Sequence, residues 1–287
     1  MSSKLIAITI TIFCSILLPR ATAAETVLDT IERTGLLRVA IREDAAPFGY
    51  LDAGGNIRGY CLDFFALLRR KLTQFLQRDI IVIRLLKSNA SNRFQLVAEG
   101  LVYLECGPNT ISTEIQVPNQ IEFSTAFFIS GTQFLIQRDN RQRINLDSNL
   151  QDIAIGVIRN TTTEQYISDR YPLAEQQQFQ GSAARMRGVQ TLQQGRLDAF
   201  VSDGILLIAE VERQNLPLQN YILIPEQPLT CDRYGMILPA NEPQWRNFVN
   251  SVIESKESEK LLSRWLGSLI ADTRITEEEC RTIVDSK

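Results

Sequence analysis

Three positions in this 287-residue sequence combine a chemically able side chain with a place in the chain that frees it to act. Arg42 closes an apolar run, Thr161-Thr162 opens a helix-period segment, and Asp203 falls between an apolar run and a helix-period segment. A guanidinium stays charged and meets a carboxylate with a planar fork. Hydroxyls and unpaired amides at a helix start hold anions, although Thr161, Thr162 and Asp203 are equally the residue types that cap helices. Asp203 or Glu105 could be nominated for acid–base catalysis, but nothing in their spacing demands chemistry rather than binding. Histidine is absent. Ser-His-Asp and Cys-His schemes therefore fall away, together with the commonest metal ligand. No metal site and no cofactor is expected.

The elements that must position these residues follow an N-terminal leader. Lys4 supplies a positive start, Leu5 to Leu18 an apolar stretch broken by Thr9, Thr11 and Ser15, and Ala21 to Ala24 a small-residue cleavage region. That layout is a secretory signal, residues 1–24, cut near Ala23 or Ala24. About 260 residues remain, enough for one large domain or two ordinary ones. The composition, 44% apolar and 22% charged, is that of a globular chain, and a net charge of −3 without a basic block argues against a nucleic-acid partner. Cys14 lies in the leader; Cys61, Cys106, Cys231 and Cys280 are too widely spaced for a zinc ribbon, and in an exported chain permit two disulfides in any of three pairings.

Apolar runs then alternate with helix-period segments, the pattern of an α/β protein. Strands are expected at Leu36–Ile41, Ile80–Leu85 and Leu101–Glu105, with helices at Tyr60–Leu76 and Asn92–Ala98. A second half repeats the alternation with strands at Gln133–Ile136, Ile153–Ile158 and Ala199–Ser202, and helices at Thr162–Arg170, Ala183–Gln194 and Gly204–Gln214. A strand at Tyr234–Leu238 and two helices finish the chain. The first of those helices places Trp245, Phe248, Val249, Val252 and Ile253 on one stripe. No repeat and no low-complexity linker separates the halves, so packed lobes are expected rather than beads on a string.

The ordered set Gly35 to Asp44 with Pro47-Phe48, Gly59-Tyr-Cys-Leu-Asp63, Asn92-Arg93, Glu105 to Thr110, Phe123-Ser124, Thr161 to Glu164, Gly195 to Ala199, Asp203 and Tyr234-Gly235 resembles the extracellular solute-binding proteins of polar amino-acid transporters (family 3). The glutamate/aspartate-binding members are the nearest in pattern, and the likeness covers nearly the whole mature chain. It implies an α/β, two-lobed fold of the periplasmic-binding-protein type II, with crossings near Ala126 to Gly131 and Leu229 to Arg233. Lobe 1 would be residues 25–128 plus 232–287 and lobe 2 residues 129–231, with ligand capture and lobe closure as one event.

The resemblance also implies a ligand set: Arg42 reading an acidic side chain, Asp203 pairing with an α-ammonium, and Thr161 and Thr162 holding a carboxylate. Gly107 and Asn109 belong to the cleft loop, Phe48 to its wall, and Arg93 and Arg159 to further cations near the mouth. One departure stands out. Relatives carry an arginine that clamps the α-carboxylate where this chain has Ser112 to Val117, and Ser112, Ile115 and Val117 are the candidates under every alignment. Either Arg159 or another cation substitutes, or the ligand is not an ordinary α-amino acid. Tyr103 also stands where relatives have a largely structural aspartate. A disulfide between Cys106 and Cys231 would stiffen the hinge and leave Cys61 with Cys280. The resemblance implies a monomeric periplasmic protein that delivers a small polar or acidic amino acid to an inner-membrane ABC permease. The same fold also admits a ligand sensor that signals to a separate partner, or a periplasmic dehydratase.

Overall fold

A computed structural model describes residues 25–111, 118–267, 269, 273 and 275–285. The leader expected at residues 1–24 and the arginine-free stretch at 112–117 lie outside the described residues. No helix among the described residues is long and apolar enough to cross a membrane.

Two sheets organise the chain. The first is six-stranded among the described residues, built from β1 (Leu36–Arg42), β5 (Val82–Ser88), β6 (Leu104–Thr110), β7 (Ile121–Phe123), β8 (Phe128–Ser130) and β14 (Asp232–Pro239) in the order β5-β1-β6-β14-β7, with β8 also on β14. The second orders β11 (Glu175–Phe179), β10 (Ala154–Ile158), β12 (Ala199–Asp203), β9 (Thr132–Gln137) and β13 (Tyr221–Ile224). A small sheet of β2 (Asp44–Ala45), β3 (Gly49–Leu51) and β4 (Ile57–Arg58) folds back beside the end of β1. In each large sheet the parallel strands carry helical crossovers, which put apolar groups on both faces.

β1 shows why these residues make this structure. Its alternating Leu37, Val39 and Ile41 enter one core cluster, while Ala40 points the other way, toward Val97, Val102 and Ile237. The first face is covered by α1 (Val27–Thr34) and α2 (Tyr60–Phe75), which buries Phe64, Phe65, Leu68 and Leu72; the second is covered by α3 (Arg93–Ala98). In the second unit, α4 (Thr162–Arg170), α5 (Ala184–Gln193) and α6 (Gly204–Arg213) flank the sheet, and α7 (Pro243–Ile253), α8 (Lys256–Leu266) and α9 (Glu277–Asp285) end the chain. Buried Trp245 donates its indole N–H to the Tyr103 carbonyl at 2.7 Å, which fixes α7 to the first sheet.

The chain passes between the sheets at two places that lie side by side. Only Gly131 separates β8 from β9, and residues 225–231 join β13 to β14. Thr132 N–H donates to Thr230 Oγ1 at 2.8 Å and Leu229 N–H to the Thr132 carbonyl at 2.9 Å. A Cβ on Gly131 would fall inside the contact shell of the Thr230 carbonyl, so the two crossings approach this closely only because position 131 has no side chain.

Sequence periodicity located most elements and missed some. β11 reads Glu-Gln-Gln-Gln-Phe and buries only Phe179, so no apolar alternation marks it, and β13 is four residues long. The strand expected at Leu101–Glu105 runs instead through Leu104–Thr110, because Gly107-Pro-Asn is held extended by pairing with β14.

The disulfide expectation is corrected. Cys61 pairs with Cys106 (Cα–Cα 5.7 Å) and Cys231 with Cys280 (Cα–Cα 5.2 Å). Register explains it: β14 meets β6 antiparallel with Tyr234 opposite Thr110 and Ile237 opposite Glu105, so Cys231 lies beyond the far end of β6 from Cys106, out of bridging reach. Cys61, in the first turn of α2, is next to Cys106 instead. The second bridge, with an Arg233–Glu277 ion pair of 2.7 Å and contacts among Ile129, Ile275 and Ile283, ties α9 across both crossings. Cys280→Ser is expected to remove about 2–4 kcal/mol from the docking of this segment. Limited proteolysis should then cut near residues 269–285 in the variant and spare the oxidised parent.

Candidate functional site

The C-terminal end of β1, the start of α3 and β6 on one side face the start of α4, the start of α5 and the end of β12 on the other. A cavity of about 30 Å³ lies between them, lined by residues that include Arg42, Arg93, Thr110, Thr161, Thr162, Thr163, Arg185, Ser202 and Asp203. Strand ends and helix starts meet here because both leave backbone groups unpaired. The walls touch across the gap. Arg93 Nη2 donates to the Asn160 carbonyl at 3.1 Å, Thr110 and Thr162 hydroxyls lie 3.4 Å apart, and Tyr234 Oη donates to Asp203 in a short hydrogen bond. With the walls in contact, the cavity has room for no more than a few waters.

Asp203 ends β12 and starts α6, with its second oxygen 3.4 Å from Thr163 Oγ1. Burial pushes its carboxyl up from the ordinary value; the Tyr234 hydroxyl, Arg185 and Thr163 pull the other way without cancelling the shift. Burial and the Asp203 charge together drive the Tyr234 phenol well above its usual range. Thr161 caps α4 by accepting from Glu164 N–H at 3.1 Å, which leaves the amides of Thr162 and Thr163 at the exposed end of the helix dipole.

Three buried arginines line the same cavity as this carboxylate. Arg42 Nε and Nη2 donate to the two oxygens of Asp44 at 2.7 and 3.0 Å. Burial alone would lower Arg42, but the Asp44 charge and its hydrogen bonds outweigh that, and the guanidinium is held above its usual value. Arg93, the first residue of α3, is pulled down to about 10 by burial and by the nearby Arg42 charge. Its Nε is buried with no hydrogen-bond partner among the described residues. Arg185 donates to Ser202 Oγ at 2.7 Å and to the Asp44 main-chain carbonyl at 3.4 Å, and burial lowers it too. Behind Arg42, buried Glu105 accepts from Ser88 at 2.6 Å and Asn109 at 2.7 Å; burial raises its carboxyl despite Arg42.

The candidates separate accordingly. Arg42, Arg93, Thr161, Thr162 and Asp203 meet at one cavity. Gly107 lies behind it, where the missing side chain makes room for the Arg42 stem, and Asn109 serves Glu105. Phe48 is not a wall residue: it is fully buried in an aromatic cluster with Tyr60, Phe127, Phe128 and Tyr234. Arg159 follows β10 with its side chain exposed, away from the cavity lining. Arg185, Thr163, Ser202 and Tyr234 had not been singled out as ligand residues. Arg185 was legible in principle, since it sits on the same helical stripe as buried Gly188, Val189 and Leu192, where an arginine needs a reason.

Raised carboxyls have a pH signature. The folded state holds Asp203 protonated more tightly than the unfolded chain, so its contribution to stability is complete below about pH 4 and is lost as pH rises through the raised folded value. An ammonium placed against Asp203 would reverse the shift. Affinity for a cationic group is therefore expected to fall as pH drops below the free-form value of Asp203, with proton release on binding. Calorimetric titrations in two buffers of different ionisation heat check this, and Asp203→Asn should abolish the pH dependence.

The fold and the charged interlobe cavity define a solute-binding protein, and the chain belongs to the bacterial extracellular solute-binding proteins, family 3, whose model matches residues 37–268. It is 29% identical over 253 residues to the glutamate/aspartate import solute-binding protein of Escherichia coli (strain K12), covering 85% of this chain and 81% of that one. The glutamate/aspartate import solute-binding protein of Salmonella typhimurium is 28% identical over the same length and the same shares. Among solved structures, an ancestral amino acid-binding protein described as a precursor of cyclohexadienyl dehydratase superposes with a TM-score of 0.70 at 22% identity, covering 84% of this chain and 99% of that one.

Proposed function

We propose that this protein captures an acidic α-amino acid between two closing lobes, residues 25–128 with 232–287 and residues 129–231, and presents it to an ABC permease from the periplasm. The observation that carries the reading is the charge on one cavity's walls: two buried guanidiniums not paired to an internal carboxylate among the described residues, Arg93 and Arg185, against one carboxylate, Asp203, while the third guanidinium, Arg42, is paired with Asp44. A zwitterion with a second carboxylate offers two anions and one cation, the complement of such a wall. Asp203, with Thr163 and Tyr234 beside it, takes the ammonium. The amides of Thr162 and Thr163 and the guanidinium of Arg93, whose buried Nε lacks a partner, take one carboxylate; Arg185 takes the other. In this reading Arg93 supplies the charge that relatives draw from the arginine missing at Ser112 to Val117. The likeness to import proteins named for glutamate and aspartate supports the same ligand class.

The reading is one of binding without turnover by a monomer exported after cleavage near Ala23 or Ala24. Closure gives the permease a liganded shape to distinguish from the open one. Thermal denaturation against the amino acids tests it. Glutamate or aspartate at a hundred times the dissociation constant should add about 2.7 kcal/mol. A shift with arginine or cystine and none with the acidic pair would overturn the ligand class.

A further inference from the structure

The guanidinium that closes β1 already holds an anion of the protein's own. The Arg42–Asp44 pair is bidentate, with side chains 4% and 1% exposed. The chain path builds it. β1 ends at Arg42, the chain bends at Glu43, and Asp44 opens the small sheet, which turns its side chain back onto the guanidinium. Pairing of Asp44 with Tyr50 and Ala45 with Gly49 in the small sheet fixes the second residue against the first. Gly107 leaves the space that the Arg42 stem fills. The other two guanidiniums on the wall differ: among the described residues, Arg93 bonds to the Ala90 and Asn160 carbonyls, and Arg185 to the Ser202 hydroxyl and the Asp44 carbonyl.

On the acidic amino-acid reading, on which this inference rests, we propose that Asp44 is a specificity-determining residue. Its carboxylate stands where a ligand's side-chain carboxylate would sit on Arg42, and so withdraws that guanidinium from ligand recognition. Arg42 becomes a positioning residue for Asp44, whose main-chain carbonyl in turn receives Arg185 Nε from the opposite wall. Acid reading falls to Arg93 and Arg185. Discrimination between a carboxylate ligand and its uncharged amide is therefore weaker than three available cations would give.

Calorimetric dissociation constants for L-glutamate, L-glutamine, L-aspartate and L-asparagine test the assignment on the parent, Asp44→Ala, and Arg42→Met combined with Asp44→Ala. Releasing Arg42 is expected to raise the acid-to-amide affinity ratio by about tenfold or more, and removing Arg42 in the same background should cancel the gain. A merely structural Asp44 would weaken acid and amide alike and leave the ratio where it was; an unchanged or lowered ratio in folded Asp44→Ala overturns the proposal. Should the unpaired arginine prevent that variant from folding, Arg42→Met with Asp44→Leu replaces the whole pair by apolar groups. A ratio kept within about threefold then supports the internal pair, and its collapse overturns it. A parent protein that binds none of the four ligands sinks the acidic amino-acid reading itself, whereas binding with an unresponsive ratio sinks only the role of Asp44.

Discussion

Asp203→Asn is expected to weaken binding of the cognate amino acid by roughly 30-fold to several-thousand-fold, the range that follows when one partner of a buried, hydrogen-bonded charge pair is removed at a cost of about 2–5 kcal/mol. The size of the effect comes from burial. Asp203 is 5% exposed, and Tyr234 and Thr163 occupy its flanks, so an ammonium bound there has no water to replace the lost charge. Asparagine keeps the volume and one acceptor, which separates loss of charge from loss of packing. Because the free carboxyl is held up by burial, the same variant is expected to fold at least as stably as the parent at neutral pH. Titration calorimetry paired with thermal denaturation reads both quantities. A variant that loses stability and affinity together would mark Asp203 as a cap rather than a ligand group.

Arg185→Met should produce the second large effect, a loss of about 2–5 kcal/mol in the affinity for acidic ligands. Arg185 is buried at the start of α5, hydrogen-bonded to Ser202 on its own sheet and reaching the Asp44 carbonyl across the gap. Methionine retains most of the apolar stem, so the packing of α5, through Val189, against Phe200 survives while the charge goes. The loss should be several-fold greater for glutamate and aspartate than for their amides, as competition calorimetry will show. Equal losses for acids and amides would mean that Arg185 organises closure and does not read the ligand's second carboxylate.

Much of this site was visible in the residues. Asp203 follows Ala199 to Ser202 and precedes an apolar helix, and Thr161-Thr162 precede Glu164, so strand end and helix start could be read directly, and both fall on the cavity. Periodicity also found α2, α4 and β1, whose apolar positions recur at the helical and extended spacings. What escaped depended on pairing across the chain. The polar edge strand β11 takes its conformation from β10, and the disulfides take theirs from the β6–β14 register. Arg42 looked free because its two-residue relation to Asp44 acquires meaning only when the small sheet turns Asp44 back onto it. Phe48 belongs to an aromatic cluster assembled from four separate segments, which no local pattern announces.

The claim on which the rest depends is that charged groups carried by the two sheets close on one small zwitterion. A crystal structure of the protein grown with L-glutamate or L-aspartate tests this most directly. The account predicts the α-ammonium within hydrogen-bond distance of the Asp203 carboxylate, and carboxylate oxygens on Arg93, Arg185 and the first amides of α4. A ligand seated outside this cavity, or one that leaves Asp203 bonded only to Tyr234 and Thr163, would contradict it.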